Sequence, residues 1–263
     1  IKEAYEEVDD ELIKVIRKAI KNIRDFHEKQ IQKSWFETRE DGVMLGQKVT
    51  PMETCGVYVP GGKAVYPSSV LMNIVPAHVA GVKNIIMTTP PGKDGKVTAN
   101  TLVAAKEAGA TKVYKVGGAQ AIAAMAFGTE SIPKVDKIVG PGNIFVALAK
   151  KAVYGNVSID SIAGPSEILV LADETANPRY VAADLLSQAE HDEMASAILV
   201  TTSEELAHKV SDEIDGFLNQ LSRKEIMEKS LDSFGYILVA SDMKEAIDTA
   251  NAIASEHLSL IHI

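Results

Sequence analysis

The chain of 263 residues is 46% hydrophobic and 24% charged, which is typical of a folded globular protein and excludes the disordered and collagen-like classes. Its formal net charge of −9 excludes a general nucleic-acid binder, because such proteins present a basic surface. No apolar run approaches the roughly 20 residues that span a bilayer, and no signal-peptide pattern opens the chain. The single cysteine, Cys55, favours a reducing compartment, so the sequence predicts a cytoplasmic protein without a membrane partner.

The first 33 residues are predicted to form one long amphipathic helix within a helical arm over residues 1–50. Apolar side chains, among them Tyr5, Leu12 and Ile23, recur every three or four positions, which is the spacing of one helix face. Charged side chains fill the opposite face. Two interpretations of this helix are open: it packs across a domain, or it supplies an oligomer interface.

Residues 51–160 are predicted to form a first α/β domain. Short β-branched runs alternate there with helical segments, which is typical of βαβ units around a parallel sheet. In chain order, the strands and the helices that follow them are predicted at 57–59 and 69–80, 85–87 and 98–108, 113–116 and 119–127, and 138–139 and 144–153.

Residues 161–263 are predicted to form a second α/β domain. Strands are expected at 168–171, 198–200, 236–239 and 258–263. Asn177 and Pro178 suit the start of a helix that runs to about His191, and Ser203 and Ser241 suit the starts of two more. The predicted fold class is therefore α/β, with two tandem Rossmann-like domains and mostly parallel sheets.

Turns that contain glycine lie where ligands bind to such sheets, outside the carboxyl ends of the strands. Glycine lets backbone N–H groups approach a phosphate at a helix N-terminus, although a tight turn alone also requires it. The G-x-G-x-x-G fingerprint is absent, since Phe145 stands where its third glycine would be. Three of the turns follow strands and the fourth precedes the first strand of the second domain: 59–63, 117–120, 140–143 and 164–167.

Two polar pairs and one thiol are candidates for chemistry. Gln188 and His191 share a predicted helix face and are either part of a metal site, which for zinc needs further ligands, or a solvated helix end. Glu256 and His257 are either an acid–base pair or a surface pair. Cys55 is either a nucleophile or a small packed side chain.

Six separated segments together resemble the histidinol dehydrogenases, in the order and at the spacing of that family. The resemblance implies an aldehyde-dehydrogenase-like architecture and an NAD-dependent, four-electron oxidation of L-histidinol to L-histidine through a bound aldehyde, in histidine biosynthesis. It also implies that Tyr58, Gln120 and Asn143 bind NAD. The segments are 58–62, 117–122, 140–143, 163–167, 184–191 and 255–258.

The same resemblance implies roles for the remaining candidates. Gln188 and His191 are two of the zinc ligands and contact the substrate, as do Ser166 and His257. His257 takes the alcohol proton, and Glu256 activates the water that attacks the aldehyde. These roles are chemically consistent, because hydride departure requires that the hydroxyl proton also leaves.

The family continues beyond its Glu-His motif, and its other zinc ligands lie in that continuation. His262 follows the motif too closely to replace them. We therefore expect the central portion of a longer enzyme, truncated at both ends, with an incomplete zinc site and no turnover of histidinol by itself.

The family resemblance implies a homodimer in which the C-terminal part of one subunit completes the site of its partner. Three alternatives for the function remain open. The chain could belong to a family member that oxidises another amino or sulfonated alcohol, or be a non-catalytic remnant of the fold. Thiol catalysis through Cys55 is the third alternative, and its sequence context disfavours it.

Overall fold

The computed structural model describes residues 1–61 and 66–262. The chain divides into two compact units, Ile1–Ala163 and Gly164–Ile263. The α/β class with parallel sheets, predicted from the sequence, is confirmed. Within the described part of the chain, no helix is long and apolar enough to cross a membrane.

The single helix predicted over residues 1–33 is wrong. Val8 is extended and ends the first helix, and Asp9 starts a second one because its carboxylate accepts a hydrogen bond from the Glu11 N–H at 2.9 Å. Both helices pack into the core of the first unit, and an antiparallel hairpin follows them. The elements are α1 (Lys2–Glu7), α2 (Asp10–His27), β1 (Trp35–Thr38) and β2 (Met44–Gln47).

A five-stranded parallel sheet forms the centre of the first unit, in the order β5-β4-β3-β6-β7. Helices α3 and α4 pack on one face of it, with α1 and α2 packed against these two helices, and α5 and α6 pack on the other face. The predicted strands and helices of this domain are present with small shifts at their ends. They are β3 (Thr54–Tyr58), α3 (Pro67–Val79), β4 (Asn84–Thr88), α4 (Ala99–Ala108), β5 (Lys112–Tyr114), α5 (Gly118–Phe127), β6 (Lys137–Val139) and α6 (Ile144–Val153). The short strand β7 (Ser158–Ile159), which the sequence does not predict, follows them.

A four-stranded parallel sheet forms the centre of the second unit, in the order β10-β9-β8-β11. Helices α7 to α9 cover one face, and α10 covers the other. The elements are β8 (Glu167–Ala172), α7 (Pro178–Ala189), β9 (Ser196–Thr201), α8 (Glu204–Leu218), α9 (Lys224–Phe234), β10 (Gly235–Val239), α10 (Met243–Ile253) and β11 (His257–His262).

Some boundaries predicted for the second unit are wrong. Helix α9 was not expected, and α10 is capped by Asp242 instead of Ser241, because the Asp242 carboxylate accepts the Glu245 N–H at 2.8 Å. Helix α7 ends at Ala189, so His191 lies just beyond it. Residue 263, the predicted end of the last strand, lies outside the described residues.

Candidate functional site

The carboxyl ends of β3 and β6 form the topological switch point of the first sheet. Strands β4 and β5 lie on one side of β3, whereas β6 and β7 lie on the other. The connections that leave β3 and β6 therefore turn in opposite directions and open a crevice between them. In open α/β sheets, this is the position at which nucleotides bind.

Tyr58 ends β3 and is almost fully buried, at 3% exposure. Its hydroxyl accepts a hydrogen bond from the Gly118 N–H at 3.0 Å, which ties β3 to the turn that opens α5. Gly118 has a φ of +72°, and a Cβ there would lie 2.8 Å from Oε1 of the exposed Gln120. Tyr58 and Gln120 are thus brought to the same glycine turn.

The turn between β6 and α6 is held against the end of β3. Gly140 has a φ of +114°, and a Cβ there would overlap the carbonyl oxygen of Tyr58, so only glycine fits. Asn143 is exposed and caps α6, since its side-chain oxygen accepts the Val146 N–H at 3.2 Å. Three residues predicted to bind NAD therefore border one sheet edge, and their role stays a prediction.

Part of the turn predicted at 59–63 lies outside the described residues, namely Gly62 and Lys63. The preceding Gly61 is described, and a Cβ there would lie 2.8 Å from the carbonyl oxygen of Pro90, in the loop after β4. The loops that follow β3 and β4 are therefore in close backbone contact at the same edge.

An ion pair with a buried lysine, which the sequence does not predict, also holds the β6–α6 turn. Lys150 of α6 pairs with Asp160, and the Lys150 side chain is only 4% exposed. A lysine among the apolar positions of α6, between Ala147 and Val153, is the sequence signal that could have found it. A buried ammonium group requires an acidic or carbonyl partner.

In the second unit, the candidate residues gather at the amino edge of the sheet instead of the carboxyl edge. Ser166 directly precedes β8, and His257 begins β11, where it pairs in parallel register with Ile168. Helix α7 starts beyond the carboxyl end of β8 and returns, so its last turn brings Gln188 and the following His191 back to the amino side. The candidate residues of this unit therefore lie at the edge opposite to the one where ligands bind in open α/β sheets.

His257 is oriented by the neighbouring strand. Its Nδ1 lies 3.0 Å from the carbonyl oxygen of Glu167 and 3.8 Å from Oε2 of Glu256. Since a carbonyl only accepts, Nδ1 carries the hydrogen and Nε2 keeps its lone pair as an acceptor. The Glu256 N–H donates to Oε2 of the Glu167 side chain at 3.3 Å, so Glu167 fixes both residues of the pair.

Gln188 and His191 provide two donors for a metal. Gln188 is half-buried and His191 is exposed, and the His191 N–H donates to the Gln188 carbonyl oxygen at 3.0 Å. Over the described ranges, no group of three or more His, Cys, Asp or Glu side chains is arranged to hold a metal ion. The donors present therefore do not by themselves fit zinc, which takes four ligands.

A second histidine contact connects the elements that carry these candidates. Asp184 of α7 accepts hydrogen bonds through Oδ2 from His262 Nε2 at 2.8 Å and from Ser259 Oγ at 2.7 Å. These bonds fasten β11, which carries His257, to α7, which carries Gln188. Nothing in the local sequence pattern indicated this contact, since it depends on the pairing of β8 with β11.

Cys55 is a packed side chain. It is 4% exposed within β3, and burial raises the pKa of its thiol to about 11. A reactive cysteine needs a thiolate and therefore a lowered pKa. The geometry thus argues against thiol catalysis through Cys55.

Two tandem parallel α/β units, the first with a nucleotide-type switch point, define an aldehyde-dehydrogenase-like fold. A propionaldehyde dehydrogenase from a Clostridium phytofermentans microcompartment shares this fold, with a TM-score of 0.54 and 14% identity over 91% of this chain and 73% of that one. The histidinol dehydrogenase family model matches residues 1–262. The chain belongs to the histidinol dehydrogenase family.

Individual relatives agree with this assignment. The histidinol dehydrogenase of Bacillus subtilis is 61% identical over 98% of this chain and 61% of its own length, and that of Halalkalibacterium halodurans is 58% identical over 99% and 62%. The crystal structure of histidinol dehydrogenase from Elizabethkingia anophelis matches with a TM-score of 0.91 and 43% identity, over 98% of this chain and 59% of that one. The chain thus spans about 60% of the length of these relatives.

Proposed function

We propose that this chain carries the NAD-binding unit and the acid–base residues of an enzyme that oxidises L-histidinol to L-histidine in histidine biosynthesis. The observation that carries the proposal is the orientation of His257, whose Nδ1 is occupied by the Glu167 carbonyl. An imidazole held in this way presents Nε2 as a base. Family membership over residues 1–262 supplies the substrate class.

The first unit is proposed to bind NAD at the switch point. The residues there fit a dinucleotide, because glycine at 118 and 140 lets the two turns lie close to Gln120 and to the end of β3, at the sheet edge where nucleotides bind. Tyr58 positions the start of α5 through its hydroxyl, and Gln120 and Asn143 place amide groups beside the crevice. When bound, NAD accepts the hydride that leaves the substrate carbon.

The second unit is proposed to move the protons. In the first oxidation, Nε2 of His257 takes the hydroxyl proton while the carbon gives up a hydride, which converts the alcohol to an aldehyde. In the second, the Glu256 carboxylate takes a proton from water so that the water oxygen bonds to the aldehyde carbon, and the hydrate then loses a second hydride. Two oxidations of two electrons each account for the acid product, and they would require two NAD molecules in succession.

Gln188 and His191 are proposed as two zinc ligands that also contact the substrate, together with Ser166. Because these donors alone do not complete a zinc site, no step of the mechanism above depends on a metal. A cytoplasmic homodimer, which the family resemblance implies, is part of the same proposal.

The substrate assignment can be tested in a chimera in which this chain replaces the matching segment of the Bacillus subtilis enzyme. We expect NADH formation that depends on L-histidinol and exceeds that with other amino alcohols or with sulfonated alcohols. A preference for another alcohol would contradict the assigned substrate. A folded chimera that forms no NADH with any of them would contradict catalysis altogether.

A further inference from the structure

We propose that Lys150 and Asp160 are positioning residues that clamp Gly140 and so set the shape of the dinucleotide site. This inference depends on the proposed binding of NAD at the switch point. The two side chains lie on different elements, one on α6 and the other just after β7. They meet at the backbone of the turn between β6 and α6.

The clamp holds both polar groups of one residue. Lys150 Nζ donates to the Gly140 carbonyl oxygen at 3.0 Å, and Asp160 Oδ2 accepts the Gly140 N–H at 2.7 Å. Lys150 and Asp160 also form an ion pair with each other, so the two side chains and Gly140 form one closed set of contacts. Asp160 is itself held, because its Oδ1 also accepts the Ser161 N–H at 2.7 Å.

The clamp supplies hydrogen bonds to a residue that lies just outside the strand. Gly140 follows the last paired residue of β6, so strand pairing does not bond its N–H and carbonyl groups. Its φ of +114° and the close approach to the Tyr58 carbonyl allow little variation in the turn. Any movement of Gly140 would displace both the end of β3 and the Asn143 cap three residues later.

The chemistry of the pair favours a positioning role over a purely stabilising one. Burying the Lys150 ammonium, whose side chain is 4% exposed while that of Asp160 is 32% exposed, carries a desolvation penalty, and apolar replacements of buried ion pairs are often neutral or more stable. A pair whose charges are both directed at one glycine therefore fixes a conformation. The conformation it fixes is that of the turn at the nucleotide crevice.

The test is calorimetric titration of NAD+ into the purified chain and its variants. Lys151 is the matched control, since it is the adjacent, exposed lysine of the same helix. We expect Lys150→Met to raise the Kd for NAD+ by about tenfold, because the turn is no longer held in place and must be ordered when NAD+ binds, and Lys151→Met to leave it unchanged. Hydrogen exchange at the Gly140 amide should accelerate only in Lys150→Met.

A double variant separates positioning from general stability. Lys150→Met combined with Asp160→Leu removes both charges, so we expect it to recover much of the Tm lost by Lys150→Met but none of the lost affinity. Recovery of affinity together with Tm would overturn the positioning role, and so would equal Kd values for Lys150→Met and Lys151→Met. Failure of the unmodified chain to bind NAD+ would instead contradict the proposed function, and the clamp's role with it.

Discussion

Replacing Gly140 with alanine should destabilise the first unit by about 2–5 kcal/mol. A φ of +114° places an L-residue in a left-handed conformation, which costs roughly 1–2 kcal/mol. The new Cβ would also overlap the carbonyl oxygen of Tyr58. That oxygen belongs to a central strand that cannot move freely, so overpacking adds about 1–3 kcal/mol.

Gly155 provides the matched control for this substitution. Its φ of +98° is similar, but a Cβ there would meet nothing within 4 Å. Gly155→Ala should therefore show the backbone strain alone, about 1–2 kcal/mol. The difference between the two variants isolates the contact between Gly140 and β3.

Native-state hydrogen exchange of the β3 and β6 amides is the appropriate assay, because it measures the opening free energy of the first unit separately from that of the second. We expect Gly140→Ala to lower this free energy more than Gly155→Ala does. Equal losses in the two variants would refute the claim that the end of β3 leaves no room at residue 140.

In the chimera with the Bacillus subtilis enzyme, Glu256→Gln should release the aldehyde and form one NADH per histidinol, because the second oxidation lacks its base; two NADH per histidinol would contradict this role. Cys55 should resist alkylation at neutral pH in the folded chain. Because burial raises the pKa of this thiol from 9.0 to about 11, ionisation favours the unfolded state as pH rises through that window, and Cys55→Ala should reduce the resulting loss of stability. Arg17 holds the pKa of Glu107 below its ordinary value, so the stability from this pair is present at neutral pH and lost as pH falls through the lowered pKa. Glu107→Gln should flatten that acid dependence in pH-resolved urea unfolding, and an unchanged dependence would count against the pair.

The fold could largely be predicted because its signals are local. Alternating β-branched runs and helical segments give βαβ units whatever their neighbours are. The errors arose where a local signal was weak: apolar spacing continues through Val8 and conceals the cap at Asp9, and α9 is rich in charge with few apolar residues. Neither the break at Val8 nor the start of α9 changes the hydrophobic periodicity enough to be recognised in the sequence.

The candidate residues of the site could be proposed from the sequence, but their geometry could not. Similarity to a family predicts roles for His257 and Gln188, and these roles stay predictions. The contact of His257 with the Glu167 carbonyl follows instead from the pairing of β11 with β8. The order of strands in a sheet is set by the tertiary fold, and the spacing of residues in the sequence does not reveal it. The contact of Lys150 is the one of these contacts that does leave a signal in the sequence, because a lysine on an apolar helix face requires an acidic or carbonyl partner.

The turnover of His257→Asn in the chimera tests the central claim most directly, with His208→Asn as the control because His208 is an exposed histidine on α8. If Nε2 of His257 is the base, L-histidinol-dependent kcat should fall by about 10²–10⁴ in His257→Asn and stay unchanged in His208→Asn. A kcat of His257→Asn equal to that of the control, in a folded chimera that still binds NAD+, would contradict the claim.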